Sequence, residues 1–196
     1  MRIIAGSCKG RRLQAPGRRF AARIRPTSDR AREALFNIIG PEATGAAVLD
    51  LFAGTGALGL EALSRGAATA LFVEADPEVC RLLQANIELC RCGERARVLR
   101  RDCAAGLDFL PGLTPPGGFD LVLADPPYSR GLAAATLNHL ATLAVPGAGG
   151  ILAPEALVVL ETGRQDELPP QVGALQAWRE SRRYGEARFH FYRQLN

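Results

Sequence analysis

The chain has 196 residues, 47% of them apolar and 22% charged, with a formal net charge of +4. That length holds one domain, or one domain with an extension, and enough apolar residues for a full core. No apolar run approaches the roughly 20 residues that a membrane span needs, and no long apolar stretch follows Met1-Arg2-Ile3-Ile4 as it would in a signal peptide; the expectation is a cytoplasmic protein, by default a monomer.

The charge is uneven. Residues 1–32 hold ten basic residues and one acid, Asp29, for +9, and the remainder holds 14 basic and 19 acidic residues, for −5, which gives +4. A basic N-terminal arm on a mildly acidic body predicts a polyanionic partner. All the basic residues except Lys9 are arginine, which suits bidentate contact with phosphate. Within the arm, Arg2 to Gly6 and Gly10 to Gln14 read as two short strands about a turn at Ser7-Cys8-Lys9. They form a hairpin carrying Arg2, Lys9, Arg11 and Arg12, either facing nucleic acid or simply solvated. Pro16 to Pro26 is a basic linker, so the expected division is an arm over 1–26 and a domain over 27–196.

Thr27 or Ser28 caps a helix from Asp29 to Ile39, with Ala31, Ala34, Leu35 and Ile38 on one face, and Gly40-Pro41 ends it. Arg30 lies in its first turn, next to Arg25-Pro26-Thr27. Ala47 to Leu51 is a buried strand that runs into a glycine turn and a helix from Ala57 to Arg65. A regular alternation follows. Ala70 to Glu74 is a strand, and Asp76 and Pro77 open a helix to about Cys90. Arg97 to Arg100 and Phe119 to Ala124 are strands, Leu132 to Leu143 a helix, and Leu157 to Glu161 a further strand. Two alternating strands, Leu175 to Arg182 and Arg188 to Arg193, close the chain as a hairpin about Tyr184-Gly185 with an antiparallel edge. This rhythm predicts an α/β fold: a Rossmann-like, mostly parallel sheet of seven strands with helices on both faces.

Five cysteines (Cys8, Cys80, Cys90, Cys92 and Cys103) at irregular spacing argue against a disulfide framework. Cys90-x-Cys92 invites a zinc assignment, but zinc favours four ligands and the two histidines, His139 and His190, are distant in sequence. No metal is expected.

The glycine turn, Gly54-x-Gly56-x-x-Gly59, at the carboxyl end of a central strand is where open α/β sheets bind nucleotides. On spacing alone, with Glu74 twenty residues after Gly54, it fits a nicotinamide or flavin site as well as an S-adenosylmethionine site. Asp50, four residues before the first glycine, tips the balance: it would repel a pyrophosphate and attract the ammonium of a methionine moiety. Four strands end in an acid, Asp50, Glu74, Asp102 and Asp125, and a parallel sheet gathers these ends on one edge. Either each acid caps the helix after its strand, or together they accept the ammonium, ribose hydroxyls and adenine amine of the cofactor.

Asp125-Pro126-Pro127-Tyr128 is the most specific element. The prolines stiffen the turn. The Asp125 carboxylate and the Pro126 carbonyl can hold both N–H groups of an exocyclic amine and aim its lone pair at a methyl donor, while Tyr128 stacks on a base taken out of its stack. Together with Arg2 to Gly6, Lys9-Gly10-Arg11, Arg25-Pro26-Thr27, Arg30 to Asn37, Leu49 to Gly54 and Tyr184-Gly185, this motif resembles the bacterial 16S rRNA guanine-N2 methyltransferase family nearly end to end. The resemblance implies the class I S-adenosylmethionine methyltransferase fold and methylation of one guanine of small-subunit rRNA. It implies a cofactor site at Asp50, Phe52, Ala53, Gly54, Gly56, Glu74, Asp102, Cys103 and Thr27, catalysis at Asp125, Pro126, Pro127 and Tyr128, and RNA contacts from Arg2, Lys9, Arg11, Arg12, Arg25 and Arg30. Thr55 stands where the family often has serine. Three alternatives remain open: an adenine-N6 methyltransferase, an oxidoreductase, and a non-catalytic RNA-binding protein.

Overall fold

The computed structural model describes residues 1–15, 17, 28–128, 131–144 and 150–195. Its strands are β1 (Ala47–Leu51), β2 (Thr69–Glu74), β3 (Ala96–Arg100), β4 (Phe119–Ala124), β5 (Leu152–Gly163), β6 (Gln171–Val172), β7 (Leu175–Tyr184) and β8 (Ala187–Gln194). They form one sheet in the order β3-β2-β1-β4-β5-β8-β7-β6. The first five strands run parallel; β8 enters antiparallel beside β5, and β7 and β6 extend that edge. The sheet thus has eight strands where seven are expected from sequence, the eighth being the two-residue β6.

The helices are α1 (Asp29–Ile39), α2 (Ala57–Ser64), α3 (Pro77–Leu89) and α4 (Leu132–Leu143). Alternation along each strand decides which face of the sheet each residue serves. Val48, Phe72, Leu121, Leu123 and Val159 meet α1, α2, α3 and the N-terminal arm, whereas Leu49, Leu51, Val73, Val122 and Leu160 meet α4 and the turns over 103–113. Each of these fully buried side chains contributes about 1.5–3 kcal/mol over an exposed one.

Local chemistry accounts for the helix ends. The Ser28 hydroxyl accepts from the Ala31 N–H at 3.1 Å and starts α1. Asp76 accepts from the N–H groups of Glu78 and Val79 at the start of α3, where Pro77 occupies the first position. The buried face of α1 is turned from the expected one. Arg32, Phe36 and Ile39 are buried with Ala31 and Leu35, whereas Ala34 and Ile38 are only half-buried.

The arm folds back on itself through one antiparallel bridge, Arg2 with Arg12, rather than two regular strands. It packs tightly on the domain, and Ile3, Cys8 and Leu13 are part of the core. A buried acid holds it: the Glu61 carboxylate accepts from the N–H groups of Ile4 and Ala5 at 2.7 and 3.0 Å and from Arg65 Nε at 2.8 Å. Arg32, also fully buried, lies 3.8 Å from Glu61 and donates to Asp29 and to the Arg2 carbonyl. A second clasp is Asn86 on α3. It accepts from the Gln14 N–H and donates to the carbonyls of Gln14 and Thr55, joining the arm to the glycine turn.

Candidate active site

The glycine turn after β1 is built around three unusual backbone positions. Phe52, Gly54 and Gly56 all have positive φ, 57°, 54° and 78°. For a phenylalanine that conformation costs about 1–2 kcal/mol, and such strain concentrates at functional sites. The turn is held from β2: the Ala53 N–H donates to the Val73 carbonyl, and the Gly54 N–H to the Glu74 carboxylate at 3.0 Å. A Cβ at Gly56 would fall 2.3 Å from Leu83 Cδ1, so a side chain there would have to push the end of Leu83 aside and would also carry the strain of the positive φ.

Asp50 lies beneath this turn, 1% exposed, and its Oδ2 accepts from the Gly59 N–H at 2.9 Å. Burial pushes its carboxyl up to about 8; the Gly59 hydrogen bond opposes that and the charge of Glu74 adds to it. Its geometry is that of a group holding the turn and the first turn of α2 in place. Glu74 is more open. Its second oxygen accepts from the N–H groups of Ala75 and Asp76 at 2.8 and 2.9 Å. Asp102, exposed at the end of β3, caps the short turn Cys103–Ala105 by accepting from the Ala104 N–H at 2.9 Å. Cys103 is buried, and desolvation pushes its thiol up to about 12 although the Phe52 N–H lies against it.

Asp125 to Tyr128 leave the end of β4 directly beside this turn. The Asp125 N–H donates to the Leu51 carbonyl at 3.4 Å, and Leu51 pairs with Ala124 in the parallel ladder. Pro126 is buried, Pro127 exposed, and Asp125 and Tyr128 are half-buried. The Tyr128 hydroxyl donates to Glu161, a 1% exposed acid at the end of β5. Sequence reasoning placed Glu161 on a strand but gave it no role; an acid closing an apolar strand was the signal available.

The edge therefore gathers Asp50, Phe52, Ala53, Gly54, Gly56, Glu74, Asp102, Cys103 and Asp125 to Tyr128 at the ends of β1 to β4 and on the turns after them. Of the residues expected to contact RNA, Arg2, Lys9 and Arg12 of the arm and Arg30 of α1 are exposed. Arg11 is half-buried and donates to the Leu89 carbonyl at the end of α3, a position where a cation also complements the helix dipole. Thr27 and Arg25 lie outside the described residues. Cys8, Cys90 and Cys92 are free and buried together where the arm meets the end of α3. Burial pushes the Cys90 thiol up to about 12.

A parallel sheet in this order, with an antiparallel strand inserted beside the fifth and a glycine turn facing an Asp-Pro-Pro-Tyr turn, defines a class I methyltransferase. Ribosomal RNA small subunit methyltransferase D of Escherichia coli K12 is 41% identical over 169 residues, 86% of this chain and 78% of that one. The solved structure of hypothetical protein TTHA0928 of Thermus thermophilus superposes with a TM-score of 0.76 at 32% identity, covering 97% of this chain and 98% of that one. An RNA methyltransferase from Salinibacter ruber solved with S-adenosyl-L-homocysteine shares the fold, with a TM-score of 0.62 at 13% identity over 87% of this chain and 94% of that one. The family model described as Conserved hypothetical protein 95 matches residues 1–193. The chain belongs to that family.

Proposed function

We propose that this chain transfers the methyl group of S-adenosylmethionine to the exocyclic N2 of a guanine in 16S rRNA of the small ribosomal subunit. The observation that carries the proposal is the seat of Asp125 to Tyr128 on β1: the Asp125 N–H bonds Leu51 at the foot of the glycine turn. This brings acceptors for an exocyclic amine to the edge that would hold the donor. The name of the Escherichia coli relative supports small-subunit rRNA as the substrate.

The residues present fit the cofactor. Acceptor groups dominate the ends of β1, β2 and β3, which suits an ammonium, a cis-diol and an adenine amine and disfavours a pyrophosphate. Glu74 would take the ribose, and Asp102 with the backbone at Cys103 the adenine edge. Phe52 to Gly56 would wall the site, and Asp50 would fix the turn from below through the Gly59 N–H. When bound, S-adenosylmethionine supplies a methyl group activated on a sulfonium.

Asp125 and the Pro126 carbonyl would accept the two N2 hydrogens and hold the lone pair in line with the methyl group. The N–C bond would form as the methyl–sulfur bond breaks, leaving a neutral thioether, and these two acceptors would stabilise the positive charge passed to N2 until one of its protons moves to the Asp125 carboxylate. Tyr128, its hydroxyl anchored on Glu161, would stack on the extruded base, a contact worth roughly 1–3 kcal/mol. The exposed arginines and Lys9 of the arm would bind RNA phosphates.

The test is transfer of labelled methyl from S-adenosylmethionine to small subunits from cells lacking this protein, followed by nucleoside analysis. N2-methylguanosine in 16S rRNA is expected. N6-methyladenosine would overturn the substrate while leaving the Asp125 chemistry intact.

A further inference from the structure

Beside Tyr128 lies a cleft of about 410 Å³ that the cofactor edge does not use. It is lined by Tyr128, Gly163, Arg164, Gln165, Asp166 and Glu186, and its size is that of a small-molecule site. Its walls come from two turns far apart in sequence. One follows β5; the other is the tip of the β7–β8 hairpin, brought alongside by the antiparallel pair Gly163 with Ala187.

Both walls are braced. The Asp166 carboxylate accepts from the Gly163 N–H at 3.1 Å, and the Asp166 N–H donates back to the Gly163 carbonyl at 3.0 Å. Arg188, 8% exposed, donates to the Asp166 carbonyl, the Glu167 carboxylate and the Ser181 hydroxyl, pinning the turn to the hairpin. Tyr128 itself backs onto Gly163, where a Cβ would lie 3.9 Å from the Tyr128 Cβ. The bond from its hydroxyl to Glu161 ties the ring to β5.

The lining joins one aromatic face, one guanidinium and two carboxylates. Asp166 is committed to its own turn, which leaves Gln165 and the charged pair Arg164 and Glu186 to meet a ligand. Guanine needs that pair. With N2 held at the reaction centre, its N1–H still requires an acceptor, and its O6 and N7 form the acceptor edge that arginine reads best. Adenine presents the reverse: a lone pair at N1, which would face a carboxylate, and an amine in place of O6. Arg164 and Glu186 are exposed in the free protein; once a base covers them, an analogue lacking the paired N–H leaves a polar group shut off from water and unmatched, and is rejected.

We propose that this cleft is the seat of the target base and that Glu186 and Arg164 determine its identity, Glu186 accepting from N1–H and Arg164 donating to O6 and N7. The inference rests on guanine N2 as the methylated atom and goes further in assigning the choice of base to the tip of the C-terminal hairpin.

The test uses the full chain and small subunits reconstituted with 16S rRNA carrying either guanine or 2-aminopurine at the target position. 2-Aminopurine keeps the exocyclic amine but lacks N1–H and O6. The unaltered enzyme is expected to prefer guanine by about 100-fold in kcat/KM, the size expected when one or two base-edge hydrogen bonds cannot form. In Glu186→Ala and Arg164→Gln that preference is expected to shrink to about tenfold or less, with affinity for S-adenosylmethionine unchanged. A preference of the same size in both variants as in the unaltered enzyme would overturn the assignment, and so would an unaltered enzyme that does not distinguish the two bases. Failure of the unaltered enzyme to methylate guanine at all would instead refute the underlying choice of N2, and this inference with it.

Discussion

Asp50 gives a direct test of the electrostatics under the glycine turn. In the unfolded chain its carboxyl ionises near 3.8; in the folded protein, without ligand, burial holds it protonated to about 8. Between those values the folded state carries the extra proton, so stability falls as pH rises. At about 1.4 kcal/mol per pH unit, and allowing for partial titration at the upper end, the loss between pH 5 and pH 8 is about 3–4 kcal/mol. Asp50→Asn keeps an oxygen for the Gly59 N–H but has no proton to lose. Urea unfolding of both ligand-free proteins at pH 5, 6, 7 and 8 isolates the effect, because all other titrating groups cancel in the difference. The stability of the variant relative to the natural protein should climb by about 3 kcal/mol across that range. A difference that stays constant with pH would refute the argument that burial keeps Asp50 protonated.

Three further outcomes are expected. Asp125→Ala should lower methyl transfer by at least about 100-fold while S-adenosylmethionine binds normally in calorimetry; near-natural turnover would remove Asp125 from the mechanism. Reversing charge at Lys9 and Arg12, both exposed, should weaken RNA binding and reduce the salt slope by about one for each phosphate no longer neutralised; unchanged affinity in a salt titration would dismiss the arm as an RNA-binding element. Glu61→Ala removes the acceptor for Ile4, Ala5 and Arg65 and one of the two acids beside the buried Arg32, which keeps Asp29. Denaturant unfolding should report a loss of about 3–5 kcal/mol, and a loss below about 1 kcal/mol would mean that the arm is held by apolar packing alone.

Where apolar runs are bounded by strong signals, the sequence already contains the fold. β1, β4, α1 and α4 have the limits expected of them, because each is a continuous apolar or periodic segment with a cap, a glycine or a proline at its edge. β5 begins five residues earlier than its apolar core suggests. Pro154 and Glu155 look like a loop, and the structure accommodates them with a positive φ at Glu155 and a register shift against β4. The burial of Arg32 was not legible. A charged residue in a helix reads as solvent-facing until its counter-ion is known, and Glu61 lies 29 residues away on α2. At the site, the glycine turn and Asp-Pro-Pro-Tyr were legible because local chemistry demands those residue types. The support of Tyr128 by Glu161 and the cleft closed by Glu186 were not, because both depend on how β5, β7 and β8 pair.

The order of strands in the sheet differs from their order in synthesis, and this bears on how the protein is made. β5 is apolar on both faces from Leu157 to Leu160, and its outer edge is paired with β8. During translation β5 emerges well before Ala187–Gln194, so for more than twenty residues of growth it presents an unpaired apolar edge, the kind of template that recruits other chains. A nascent chain cut short in β7 would therefore be aggregation-prone rather than merely inactive. Because the residues that protect β5 lie just beyond the Glu186 tip, the chain cannot shield this edge without also building the wall of the base cleft.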